Sequence, residues 1–214
     1  MTREQTRSSK AWYNALSRYY DVLVDPFQGR LRRRGIDRLG VSPGDRVLDV
    51  GCGTGRGVAT LQNAVGSDGQ VVGIDVAEQM CRLTRDRLDD EDPSAVVCGD
   101  ALTLPFDTDS FDVVLASFTL ELFEGDHRTT VLDEIRRVLI PRGRICVISP
   151  STASKTISPL YTRLNDVFPT LVDSRPLDVS AVLAEAGFET TQTQIEWALV
   201  VPVELVVARC GSRT

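Results

Sequence analysis

Lysine and histidine are nearly absent from this chain. Lys10 and Lys155 stand against 22 arginines, and His127 is the single histidine. One histidine with no partner nearby cannot build a metal site, and Cys52, Cys81, Cys98, Cys146 and Cys210 are scattered without a CxxC pair. Structural zinc is therefore excluded and reduced thiols are expected. No run of about 18 uncharged apolar residues occurs, which a membrane-crossing helix needs. The polar opening MTREQTRSSK has no apolar stretch of the signal-peptide kind, so a cytoplasmic location is expected. Positive charge is also in deficit. Twenty-four basic against 30 acidic residues leave a net charge of -6, the wrong sign for a protein that neutralises phosphates, and no nucleic-acid partner is expected.

Repeats, low-complexity tracts and any composition break across the 214 residues are lacking as well, which predicts one structural unit. What is present is ordinary for a globular interior: 42% apolar and 25% charged residues, enough for a sizeable core.

Short β-branched runs recur, each bounded by Gly, Pro or Asp: RVLDV (46–50), QVVGID (70–75), AVVCGD (95–100), FDVVLAS (111–117) and RICVIS (144–149). They read as buried strands. Segments of helical length separate them, at about 56–65, 77–89 and 126–139. In the last of these Val131, Ile135, Val138 and Leu139 follow helical spacing, and Pro141 is expected to stop the helix. This alternation predicts a parallel sheet with helices on both faces. Two helices are expected before the first strand, in AWYNALSRYYDVLV and, after a break at Pro26, in FQGRLRRRGIDRLG. One more is expected around PLYTRLNDVF, and another in DVSAVLAEAGF, ending at Gly187. ETTQTQIEWALV and VELVVARC read as a closing antiparallel pair of strands.

The segment VLDVGCGTGRG (47–57) packs four glycines into seven positions directly after a strand. A phosphate-binding P-loop would need Lys and Ser or Thr after GxxxxG, and no Lys is there. A dinucleotide fingerprint would need a small residue where Arg56 or Val58 stands, according to which glycine starts the count. What remains is Asp-x-Gly-x-Gly-x-Gly on Asp49, Gly51, Gly53 and Gly55, a sharp turn offering bare backbone to a ligand.

With that loop the sequence resembles the class I S-adenosylmethionine-dependent methyltransferases, over most of residues 10–149. Asp75 closes VVGID twenty residues after Gly55, GDALTLPF spans 99–106, and FDVVLASFTLEL spans 111–122. The resemblance implies a Rossmann-like, doubly wound, mostly parallel seven-stranded sheet with an antiparallel C-terminal strand. It also implies S-adenosyl-L-methionine as cofactor and S-adenosyl-L-homocysteine as product. On the matching positions it implies cofactor contacts from Tyr20, Asp49, Gly51, Gly53, Thr54, Asp75, Val76, Met80, Asp100, Ala101 and Ser117. Asp75 would accept the ribose hydroxyls, Asp100 would meet the adenine amino group and Ser117 would end its strand beside the cofactor. Residues 1–40 would form a helical lid on a methyltransferase domain of residues 41–214.

Within the class, the chain is most similar to the menaquinone and ubiquinone C-methyltransferases. Thr54 matches their Gly-Thr-Gly loop, Tyr20-Asp21 their upstream Tyr-Asp pair, and EIRRVLIPRGRICVIS their helix, turn and strand. Phe118-Thr119-Leu120-Glu121-Leu122 departs from their usual Phe-Gly-Leu-Arg-Asn. The tail looks like that of small methylases grouped with quinone or phospholipid N-methyltransferases. A small-molecule or lipid-like methyl acceptor is the resulting expectation, with a non-catalytic cofactor-binding subunit as the rival. Transient membrane-surface contact and a homodimer stay open.

Simpler readings stand beside these. Asp75 can cap the helix that follows it, and Met80 can be core or can pack on the adenine ring. RLRRR (30–34) can be a solvated helix face or a holder of an anionic head group. Most of Trp12, Tyr13, Tyr19 and Tyr20 suit helix packing on a sheet. Glu121 is a candidate general base and His127 a helix-start residue, and no catalytic residue is assigned.

Overall fold

The computed structural model describes residues 25–88, 94–152, 176–198 and 201–211. In chain order these form α1 (Asp25–Leu39), β1 (Arg46–Val50), α2 (Arg56–Val65), β2 (Gln70–Asp75), α3 (Glu78–Arg87), β3 (Ala95–Cys98), β4 (Phe111–Ser117), a 3-10 turn (Leu120–Leu122), α4 (Gly125–Val138), β5 (Leu139–Pro150), α5 (Val179–Glu185), β6 (Phe188–Ala198) and β7 (Val201–Cys210). The expected helices in AWYNALSRYYDVLV and PLYTRLNDVF, and with them Tyr20, lie outside the described residues.

The strands make one seven-stranded sheet in the order β3-β2-β1-β4-β5-β7-β6. β1 pairs in parallel with both β2 and β4, β2 with β3, and β4 with β5. β7 alone runs against its neighbours, inserted between β5 and β6. The seven-stranded, mostly parallel, doubly wound architecture expected from the sequence is therefore present, with the closing antiparallel pair.

Burial on both faces explains why the central strands read as continuous apolar runs rather than alternating ones. Val47, Val113, Leu115, Cys146 and Ile148 face α1 and α2, which supply Leu31, Ile36, Leu39, Val58 and Leu61. Leu48, Val50, Val114, Ala116 and Val147 face the other way, against Val131, Ile135 and Val138 of α4 and Leu183 of α5. Each such fully buried Leu, Ile or Val stabilises the fold by about 1.5–3 kcal/mol. Two hydrophobic layers thus clamp the sheet and hold its C-terminal edge in place.

Several boundaries differ from expectation, each for a local reason. α1 begins at Asp25 and carries Pro26 in its first turn, where the missing N–H has no helical partner to lose. α4 ends at Val138 rather than 139, because Leu139 already pairs with Phe111 as the start of β5. Pro141 therefore sits in an irregular strand extension, which includes Arg142 at φ 66° and a register shift opposite Phe111 and Val113. β3 ends at Cys98, where the Gly99 amide donates to the Asp75 carbonyl (3.0 Å) and completes the last pair of the ladder with β2. α5 opens where Asp178 accepts from the Ala181 amide at 2.9 Å, a side-chain cap that satisfies an orphan donor.

Candidate functional site

The strand order reverses between β1 and β4, and an open α/β sheet leaves its ligand crevice outside the carboxyl ends of the strands at that point. The glycine loop lies there. Gly51, Gly53 and Gly55 all have positive φ (71°, 56° and 81°). A Cβ on Gly51 would stand 2.3 Å from Thr119 Oγ1, so the loop after β4 is packed directly on the loop after β1. A Cβ on Gly57 would stand 2.2 Å from Asp49 Oδ2. The small residue that lets helix and strand approach closely is thus Gly57, a position that sequence counting from Gly51 or Gly53 passes over.

Asp75 organises the loop from the neighbouring strand. Its Oδ2 accepts from the Gly53 amide (2.9 Å) and its Oδ1 from the Ala77 amide (2.8 Å). Burial pushes this carboxyl above its ordinary range, against the pull of hydrogen bonds from the Ala77, Gly53 and Val76 amides. Thr84 of α3 donates to the Gly53 carbonyl at 2.8 Å and holds the loop from the other side. Val76, next to Asp75, is 48% exposed, whereas Met80 is buried in the interior.

Asp49 has a different environment. It is buried, its Oδ1 has no hydrogen-bond partner, and burial pushes its carboxyl up to about 7. The Arg32 guanidinium works against that rise, while the Asp75 charge adds to it. Arg32 also donates from Nε to Ser117 Oγ at 3.3 Å. The Asp49 carboxyl and the Arg32 side chain therefore lie together beside Gly57 under the glycine loop, a match for the ammonium and carboxylate of an amino-acid group.

Arg32 is the residue that sequence reasoning missed. It lies in RLRRR (30–34), where Arg34 turns away to pair with Glu196; further along α1, Arg38 donates to Gln194 on β6. Arg30 and Arg33 are exposed. The signal was helical spacing, because Arg32 stands four residues before the buried Ile36 and so borders the sheet-facing stripe.

At the third strand end Asp100 is exposed, accepts from the Leu102 amide at 3.0 Å, and is followed by the buried Ala101. Arg137 of α4 anchors this turn, donating to the Leu104 and Phe106 carbonyls (2.9 and 2.7 Å) and pairing with Glu134, which accepts from the Leu104 amide. At the fourth, Ser117 is buried. Phe118 follows at φ 55°, and Thr119 donates to the Val50 carbonyl at 3.0 Å. Glu121, in the 3-10 turn, is buried with Oε2 unpartnered. Burial pushes it up to about 7, against hydrogen bonds from its own amide and the Ser149 hydroxyl and the charge of Arg128. Leu122 beside it is 42% exposed.

The structure thus brings Asp49, Gly51, Gly53, Thr54, Asp75, Val76, Asp100, Ala101 and Ser117 to one sheet edge. His127 lies in the first turn of α4, where its amide donates to the Glu124 carbonyl. No helix of the described residues is long and apolar enough to cross a membrane.

A doubly wound sheet with a glycine loop and acidic strand ends at its switch point defines a class of nucleoside-cofactor proteins, and comparison with known proteins narrows it. Residues 47–143 match a family model described as a methyltransferase domain. The chain is 30% identical over 209 residues to a ubiquinone/menaquinone biosynthesis C-methyltransferase UbiE of Burkholderia mallei, covering 91% of this chain and 85% of that one. It is 34% identical over 163 residues to the UbiE protein of Ectopseudomonas mendocina, covering 73% of this chain and 62% of that one. A solved S-adenosylmethionine-dependent methyltransferase from Aquifex aeolicus superposes with a TM-score of 0.67 at 21% identity, over 84% of this chain and 89% of its own. The chain belongs to the class I S-adenosylmethionine-dependent methyltransferases, near the UbiE group.

Proposed function

We propose that the protein transfers a methyl group from S-adenosylmethionine to a small-molecule or lipid-like acceptor. One observation carries this reading: the glycine loop, Asp75, Asp100 and Ser117 converge on a single sheet edge above the buried Asp49, whose Oδ1 has no partner.

The residues fit the cofactor part by part. The bare loop of Gly51, Gly53 and Thr54 admits the amino-acid end. Asp49 Oδ1 lacks a donor that an ammonium would supply, and Arg32 offers the complementary cation for the carboxylate. Asp75 takes the ribose, with the lone pairs not used by Gly53 and Ala77. Val76, Asp100 and Ala101 line the adenine end.

Bound S-adenosylmethionine supplies a methyl group on a sulfonium, a leaving group that needs no proton. The chain's task is then alignment and water exclusion, which can supply most of the acceleration. The Ser117–Leu122 segment forms the acceptor side, with the exposed Leu122 for apolar contact. Glu121, poised near neutrality by its burial, receives a proton where the acceptor must lose one. An acidic chain and an apolar rim favour a small or lipid-like acceptor over a nucleic acid.

Calorimetry with S-adenosylhomocysteine tests the cofactor assignment. Binding by the wild-type chain and its loss in Asp75→Ala are expected; no binding, or equal binding by the variant, refutes it. Labelled methyl transfer in a cell extract, read by mass spectrometry, then identifies the acceptor. Sound binding with no transfer to any compound would favour a non-catalytic subunit instead.

A further inference from the structure

Two cysteines that the cofactor reading leaves unused meet at the edge of the candidate site. Cys98 is the last residue of β3, is exposed, and stands opposite Asp75 in the parallel ladder. Cys81, in the first turn of α3, is fully buried beneath it. The Cys81 thiol points at the Asp75 carbonyl (3.4 Å) and the Val97 carbonyl (3.6 Å), and Cys98 Sγ lies 4.0 Å from the Val76 carbonyl. Both thiols therefore lie against the Asp75–Val76 turn, with Cys81 also reaching the carbonyl of Val97, the residue that precedes Cys98. All five cysteines are free thiols.

We propose that Cys98 and Cys81 form a dithiol modification site, at which a hydroperoxide oxidises Cys98 and Cys81 closes a disulfide across the Asp75–Val76 turn. The inference rests on the cofactor reading only for its effect on binding; the disulfide stands or falls separately.

The chemistry balances with the peroxide as oxidant. Cys98 sulfur attacks one peroxide oxygen, the O–O bond breaks, and the departing oxygen takes a proton to leave as water or an alcohol. Cys98 is then a sulfenic acid. Cys81 sulfur attacks it, the S–S bond forms, the S–O bond breaks, and the hydroxyl leaves as water with the Cys81 proton. Two thiols lose two electrons in total and the peroxide gains them.

Exposure sets the order of events, because only Cys98 is reachable from solvent. Burial pushes the Cys81 thiol up to about 12, and the charge and hydrogen bonding of Cys98 add to that rise. A disulfide holds its sulfurs about 2.05 Å apart, closer than two thiols in contact. The closure must draw the first turn of α3 towards the end of β3. Asp75 and Ala77 lie between those two points, and their 2.8 Å hydrogen bond helps orient the carboxylate assigned to the ribose. A shift of this size at a binding group lowers affinity.

The test uses the full chain, reduced and then treated with hydrogen peroxide. Intact mass and peptide mapping should find a Cys81–Cys98 disulfide, and S-adenosylhomocysteine should bind about tenfold more weakly by calorimetry, recovering with dithiothreitol. Cys98→Ser, a change at an exposed position, should bind like the reduced wild type and ignore peroxide. Oxidation that leaves Cys81 and Cys98 unlinked overturns the site, whether the peptides carry sulfinic acid, a different pairing or unmodified thiols. A mapped disulfide with unchanged affinity overturns its effect on the cofactor. If the reduced chain does not bind S-adenosylhomocysteine at all, the cofactor reading fails while mapping still decides the disulfide.

Discussion

Asp49 couples the stability of the protein to pH in a way that can be measured without any ligand. Its carboxyl is raised from 3.8 to about 7 by burial. Between those values the unfolded chain carries an ionised Asp49 and the folded chain a protonated one, so the folded state binds the extra proton. Stability from this group is therefore complete below about pH 4, declines as pH rises, and is gone above about pH 7. At about 1.4 kcal/mol per pH unit, the full change is about 4 kcal/mol. Asp49→Asn removes the titration while preserving shape, at a constant cost of about 1–3 kcal/mol for an amide donor placed among buried groups. Glu121 and Asp75 are raised too and tilt the wild-type curve in the same direction, so the informative quantity is the difference between variant and wild type. Urea unfolding at pH 5, 6, 7 and 8 should find Asp49→Asn less stable than wild type at pH 5, gaining on it by about 1.4 kcal/mol per unit up to about pH 7 and then running parallel. Curves that stay parallel from pH 5 to 8 would refute a neutral buried Asp49.

Other consequences are simpler to read. Gly51→Ala must hold a positive φ and find room where Thr119 Oγ1 lies 2.3 Å from the new Cβ; the left-handed backbone and the overpacking together should cost about 2–5 kcal/mol, and a loss below about 1 kcal/mol in denaturant unfolding would contradict the packing of the two loops. Arg137→Ala cuts the donations to the Leu104 and Phe106 carbonyls. With this side chain partly in water the stability loss should be about 1 kcal/mol, accompanied by weaker S-adenosylhomocysteine binding because the Asp100 turn is released. Unchanged binding in calorimetry would mean that the turn holds itself. Arg32→Ala should push the Asp49 carboxyl higher still, moving the upper end of its pH dependence alkaline; a shift to lower pH in the same unfolding series would contradict the pairing.

Local grammar determined much of this protein. Strands, helices and their alternation were legible because a parallel sheet buried on both faces writes continuous apolar runs, and crossovers put successive strand ends on the same edge. For that reason Asp49, Asp75, Asp100 and Ser117 could be placed at one sheet edge from positions along the chain. The glycine loop was legible from its spacing, since bare backbone at positive φ tolerates few other residues.

Tertiary structure alone decided the rest. Arg32 belongs to an arginine run that looks uniformly solvated, and only the docking of α1 on the sheet turns this one side chain to Ser117 and Asp49 while Arg34 and Arg38 go to β6. The insertion of β7 between β5 and β6 cannot be read from strand order in the chain. Nor could spacing announce that Glu121 is buried in the turn after β4, or that Cys81 and Cys98 lie against the same Asp75–Val76 turn. Backbone periodicity and turn chemistry are written over a few residues, so a sequence carries them openly. Charge pairing, desolvation and thiol contact depend on which distant surfaces are pressed together, and that is settled only when the chain folds.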